Sequence, residues 1–135
     1  MKIALTSSHH FSAAHRLHNE RRDADWNRAV FEKCNNEHGH GHTYGLDVTV
    51  EGAIDPETGY VIDFKELKKI VEDEVLQKVE RRHLNFDVDF LRGINPTAEN
   101  IAVAIWGRLA GKIPHGSLKR ITLQETDKNA VIYEG

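Results

Sequence analysis

Between residues 34 and 44 the chain reads CNNEHGHGHTY, which sets its one cysteine, Cys34, and His38, His40 and His42 within nine positions. On a strand, residues i and i+2 point to the same side about 7 Å apart, so His40 and His42 can both reach one cation. A third ligand must come from elsewhere. His15 is the best placed, because it ends an earlier alternating run on that run's inward face. Three neutral imidazoles with an open fourth position make a catalytic zinc site rather than a structural one. An affinity-tag remnant would instead be contiguous and terminal. The remaining histidines of the cluster, His9, His10, His18 and His38, read as ordinary polar or supporting residues.

Cys34 can be a free thiol, a metal ligand or a small buried hydrophobe. It lies on the loop that leads into the histidine strand, so the chain can fold it back beside the cation without using it as a ligand. A thiol near a cation ionises more readily, and the thiolate can act as base or nucleophile. Glu125 is a second outlier, because it extends the apolar face of Ile121 and Leu123. A carboxylate there either reaches solvent at the strand end or meets hydrogen-bond donors such as the amidine-like edge of a ligand.

The elements that must position these residues follow from periodicity. Ile3, Leu5, Ser7, His9, Phe11, Ala13 and His15 define one face of a first strand. His38, His40, His42, Tyr44, Leu46, Val48 and Val50 define one face of a second, which ends at Gly52. Residues 17–33 form an excursion with a helical turn near Ala24 to Phe31. After turn residues at Asp55-Pro56 and Gly59, Asp63 is expected to cap a helix, with Glu66 completing a capping box. Leu67, Ile70, Val71, Val75 and Val79 supply that helix with a buried stripe over about four turns. A polar loop carries RRHLNFDVDF. Thr97 then caps a second helix with Glu99 in its first turn, and Gly111 and Pro114 stop it. Leu118 to Glu125 and Ala130 to Tyr133 make a closing hairpin. The order ββααββ predicts one α+β domain over residues 1–135, with a four-stranded antiparallel sheet and both helices on one face.

Bulk properties narrow the function. A net charge of −3 with scattered basic residues lacks the footprint of a nucleic-acid binder. No run approaches the ~18 apolar residues of a membrane span. The first residues do not resemble a secretory signal, and a single cysteine suits a reducing compartment, so a cytoplasmic location is expected. Nine histidines, seven of them within the first 42 residues, are the compositional anomaly.

Five linked motifs carry a family resemblance: FSAAHRL at 11–17, CNNEHGHGHTY at 34–44, TGYVIDFKELKK at 58–69, PTAENIAVAIW at 96–106 and ETDKNAVIY at 125–133. Together they resemble the 6-pyruvoyltetrahydropterin synthase family, which includes bacterial 6-carboxytetrahydropterin synthases. The resemblance implies the tunnelling fold, with sheets joined into a barrel in a trimer and two trimers stacked as a hexamer with interfacial active sites. It implies Zn2+ on His15, His40 and His42, Cys34 as the catalytic thiol, and Glu125 as the anchor of the pterin edge. Thr97 and Glu99 fall in the segment that helps line the pterin pocket. Similar enzymes convert 7,8-dihydroneopterin triphosphate to the 6-pyruvoyl product of tetrahydrobiopterin synthesis, or to the 6-carboxy product of the queuosine route.

One motif departs from the family. Where members carry an Asp-His pair that works with the cysteine of a neighbouring subunit, this chain reads VERRHLN, with Glu80 and Arg81 in those positions. Glutamate keeps a carboxylate, but arginine stays protonated and cannot accept a proton. His83, two residues on, can restore a Cys-His pair if the loop shifts, or Arg81 can hold the triphosphate. The alternative is a catalytically altered or non-catalytic zinc and pterin binding paralogue.

Overall fold

Alternation builds the sheet as expected. In the computed structural model, which describes residues 2–135, β1 (Ile3–His15) and β2 (His40–Gly52) are long antiparallel neighbours in continuous register. Residues paired across the ladder share a face. Phe11 opposes Tyr44, Ala13 opposes His42, and His15 opposes His40, all on the side that the helices cover. The second strand therefore begins at His40, and exposed His38 lies outside it. β4 (Ser117–Thr126) pairs with β2, and β5 (Asn129–Tyr133) pairs with β4 as the closing hairpin.

The sheet has one strand more than expected. Arg82 and His83 form a short β3 parallel to β1, giving the order β3-β1-β2-β4-β5. Part of the stretch read as a polar loop is thus held on the edge of β1, because the Arg81 and Leu84 N–H groups donate to the Ser12 and Ala14 carbonyls. Asp89–Leu91 of the same stretch is a short 3-10 turn.

One face of the sheet is closed by helices. α1 (Ala24–Phe31) runs into a 3-10 turn over Glu32–Asn35 that carries Cys34. α2 (Phe64–Val71), a π turn (Glu72–Leu76) and α3 (Gln77–Val79) follow without a break and make the expected long helix. Its buried stripe is Leu67, Val71, Val75, Leu76 and Val79. Leu67 and Val71 are wholly inaccessible, and burial of such a side chain is worth about 1.5–3 kcal/mol. The capping box does not form: the Asp63 carboxylate accepts from the Lys65 N–H, and Glu66 is exposed. α4 (Ala98–Leu109) is capped by Thr97 and buries Ala98, Ile101, Ala102, Ile105 and Leu109 against β4 and β5. Among the described residues no helix is long and apolar enough to cross a membrane.

Candidate active site

The site forms where β1 and β2 end together. Gly39 makes the entry into β2 possible. Its φ of +78° favours glycine, and a Cβ there would lie 2.8 Å from the His15 carbonyl oxygen and 2.9 Å from His83 Nε2. The chain thereby passes close behind His15 and delivers His40 opposite it.

His15 is fully buried. Its Nδ1 lies 2.9 Å from the Pro96 carbonyl oxygen, which can only accept, so Nδ1 carries the proton and Nε2 keeps its lone pair. The Tyr44 hydroxyl stands 3.2 Å from the same Nδ1. Burial depresses the His15 pKa to about 4, with the Pro96 contact opposing and the neighbouring His42 and His40 adding to the fall. The ring is neutral at pH 7, as a ligand must be.

His40 and His42 converge on this ring. Their Nε2 atoms are 2.8 Å apart, and the three ring centroids lie 4.6–5.1 Å from one another. Burial also lowers the His40 pKa, with His42 contributing. Among the described residues, His15 Nε2 and His40 Nδ1 are the buried side-chain atoms without a hydrogen-bond partner. An unpartnered lone pair on the buried, neutral His15 ring, with two more imidazoles facing it, fits a metal-ligating role. Two further donors stand at the rim, Cys34 Sγ at 3.8 Å from His40 Nε2 and Glu125 Oε1 at 3.8 Å from His42 Nε2. Ligand atoms of His15, Cys34 and His40, and likewise of His15, His42 and Glu125, all lie within 4.8 Å of one another.

Cys34 is positioned by its own loop. Its carbonyl accepts from the Leu17 N–H at 2.7 Å, and Asn35 Nδ2 donates to the Leu17 carbonyl at 2.8 Å. Buried Asn27 braces the preceding excursion, accepting from the Asn19 N–H and donating to the Asn19 and Asp23 carbonyls. The thiol pKa is raised, first by burial and then by Glu125 and Glu32. A cation held by the adjacent histidines acts in the opposite direction. Cys34, His40 and His42 border an open cavity of about 1180 Å³, with Arg16, His18 and Lys33 around it.

The structure separates other expected site residues from this cavity within the single chain. The Thr97 hydroxyl is occupied in capping α4, and Glu99 is exposed on its first turn. Glu80 sits at the end of α3, where its carboxylate accepts from the Ser12 N–H at 3.0 Å. Arg81 is held in the left-handed region at φ +57°, with 88% of its side chain exposed. Arg81, Arg82 and His83 line a second cavity of about 500 Å³ with Ser12, Gly41 and Thr43, and this cavity shares His42 with the first. His83 lies against exposed Phe86, with ring centroids 4.6 Å apart, and is not among the residues that line the Cys34 cavity.

Sequence reasoning passed over Tyr44, Pro96 and the asparagine braces. Tyr44 was legible only as a core position, although its place on the His40-His42 face signalled it. The Pro96 carbonyl comes from 81 residues away and carries no side-chain signature.

A histidine-lined site at the mouth of a mixed sheet, with a thiol and a carboxylate at its rim, is an arrangement able to hold a metal ion in an α+β enzyme. Residues 4–135 match the family described as 6-pyruvoyl tetrahydropterin synthase, and the chain belongs to that family. The human 6-pyruvoyl tetrahydrobiopterin synthase is 42% identical over 125 residues, covering 93% of this chain and 86% of that one. A dihydroneopterin monophosphate aldolase from Pyrococcus furiosus is 44% identical over 96 residues, or 70% and 77% of the two chains. The solved structure of the Caenorhabditis elegans 6-pyruvoyl tetrahydropterin synthase superposes with a TM-score of 0.94 at 38% identity, covering 100% of this chain and 96% of that chain.

Proposed function

We propose that the chain is a zinc-dependent lyase that converts 7,8-dihydroneopterin triphosphate to 6-pyruvoyl-tetrahydropterin with release of triphosphate. The carrying observation is the convergence of His15, His40 and His42, with a buried unpartnered Nε2 on His15, beside the Cys34 thiol at an open cavity. His15, His40 and His42 would hold the zinc. Bound there, it supplies Lewis acidity toward the oxygens of the substrate side chain. Cys34 takes a proton from the adjacent carbon, a role its place at the cavity wall suits. Glu125 anchors the pterin edge, and Thr97 and Glu99 complete that pocket from a neighbouring subunit.

Glu80, Arg81 and His83 are assigned on the same footing. The second cavity combines two guanidinium groups with the Ser12 and Thr43 hydroxyls, which favours Arg81 as a triphosphate-holding residue over a proton-transfer role. Glu80 keeps the carboxylate of the family pair but is tied to a backbone N–H. His83 is the remaining proton group, reached by Cys34 of a neighbouring chain. An assembly of two stacked trimers, with sheets closed into barrels and active sites between subunits, accounts for this division of labour. The free edge of β5 and the exposed Ile132 on it support such closure. We read the chain as a cytoplasmic enzyme of tetrahydrobiopterin-type synthesis rather than of the queuosine route: the human and Drosophila melanogaster relatives that carry the pyruvoyl name, 42% and 41% identical, match over 93% and 97% of this chain, whereas the relative named an aldolase matches over 70%.

The test is product identification. Zinc-loaded protein incubated with 7,8-dihydroneopterin triphosphate should release triphosphate and yield the 6-pyruvoyl product by mass spectrometry. A 6-carboxy product would move the chain to the other branch, and a 6-hydroxymethyl product would make it an aldolase. Bound pterin without turnover at any pH would leave the binding paralogue.

A further inference from the structure

Glu125 is placed by an irregularity of the sheet. Gln124 pairs with Ala130 and Thr126 with Asn129, so Glu125 is the extra residue of a bulge between β4 and β5. A bulge bends its strand and re-aims a side chain. Here it turns a half-buried carboxylate to 3.8 Å from His42 Nε2, and within 4.8 Å of a His15 nitrogen. Oxygen and nitrogen ligands of one tetrahedral zinc lie about 3.3 Å apart when the bonds are near 2.0–2.1 Å. A small side-chain adjustment therefore brings the carboxylate into the coordination sphere.

We infer that Glu125 is a displaceable fourth ligand, which closes the metal site in the substrate-free enzyme and leaves it when a pterin arrives. The inference rests on the three-histidine metal site proposed above. Cys34 is equally near, at 3.8 Å from His40 Nε2, but its backbone is tied to Leu17, whereas the bulge aims Glu125 at the histidines. One side chain then has two competing partners, the metal and the pterin edge. While it closes the metal, the fourth position is protected from solvent and adventitious anions. When the donor edge of a pterin draws it away, the position opens for the substrate side chain. Linkage requires the competition to be reciprocal: a pterin without side-chain oxygens weakens metal binding by the factor by which the metal weakens that pterin.

The experiment uses cobalt(II) and zinc as probes on wild-type protein and Glu125→Gln, with unsubstituted pterin as the competitor. Glu125→Gln should weaken zinc at least tenfold in chelator competition. It should also alter the visible bands of the cobalt protein toward a site completed by water. Unsubstituted pterin should produce the same spectral change in wild type, and should weaken zinc there but not in the variant. Equal zinc affinity and unchanged cobalt bands in Glu125→Gln, with pterin binding lost, would overturn the inference while leaving the pterin anchor standing. A sulfur-to-cobalt charge-transfer band that disappears in Cys34→Ser would overturn it in favour of the thiol. Failure of wild type to bind either metal would overturn the three-histidine reading and this inference with it. Thermal unfolding of the metal-free variant separates ligand loss from misfolding.

Discussion

Acidifying the metal-free protein should destabilise it through His15. The ring is buried, donates to Pro96, and has its pKa depressed from 6.5 to about 4. Because the folded pKa is the lower one, the unfolded chain binds a proton first as pH falls. Stability is therefore full above about pH 6.5 and is lost progressively down to the folded pKa near 4. Between pH 7.5 and pH 5 the two pKa values give a loss of about 2 kcal/mol from this ring alone. With an unfolding entropy of ~2.1 cal/mol/K per residue, that lowers Tm by roughly 7 °C for a domain of this size. His9 and His40 are also depressed by burial, so they add to the loss with the same sign. The assay is urea unfolding of chelator-treated protein across this pH range, beside His15→Leu, which removes the titrating ring. His15→Leu should have the shallower pH dependence. Equal slopes in the two proteins, or stability that rises on acidification, would refute this assignment of the buried neutral ring.

Other perturbations separate the parts of the site. Cys34→Ala should abolish turnover of dihydroneopterin triphosphate while leaving zinc stoichiometry unchanged, measured by metal analysis of the same samples. Arg81→Gly should hold or raise Tm, since it relieves a left-handed backbone that costs an L-residue about 1 kcal/mol, whereas Arg81→Val should lower it. If Arg81 holds triphosphate, both variants should also raise KM for the triphosphate substrate more than they lower kcat. Thr97→Ala should destabilise the protein by about 1 kcal/mol in urea unfolding, the typical value for a lost helix N-cap.

The histidine site was legible because period-2 alternation is a local property. His15 and His40 are 25 positions apart in sequence, yet each sits on the inward face of its own strand, and antiparallel pairing then makes them neighbours. The helices were legible for the same reason, from the Leu67-to-Val79 stripe and from Thr97. What failed was non-local. The short β3 has no alternation of its own and exists because Arg81 and Leu84 donate to the edge of β1. The Asp63–Glu66 box is the local exception, since the Asp63 carboxylate accepts instead from the Lys65 N–H two residues on. Glu125 was visible as a misplaced carboxylate, but the bulge that aims it at His42 depends on pairing with β5 and could not be read from spacing.

A metal held by His15, His40 and His42 is the proposed requirement for pterin chemistry at Cys34. The most direct measurement is triphosphate release from 7,8-dihydroneopterin triphosphate by one preparation in three states: as zinc-loaded, chelator-stripped, and reloaded. Release in the first and third states and none in the second is the predicted result. Equal release by stripped protein, or no release by protein carrying one zinc per chain, would contradict it.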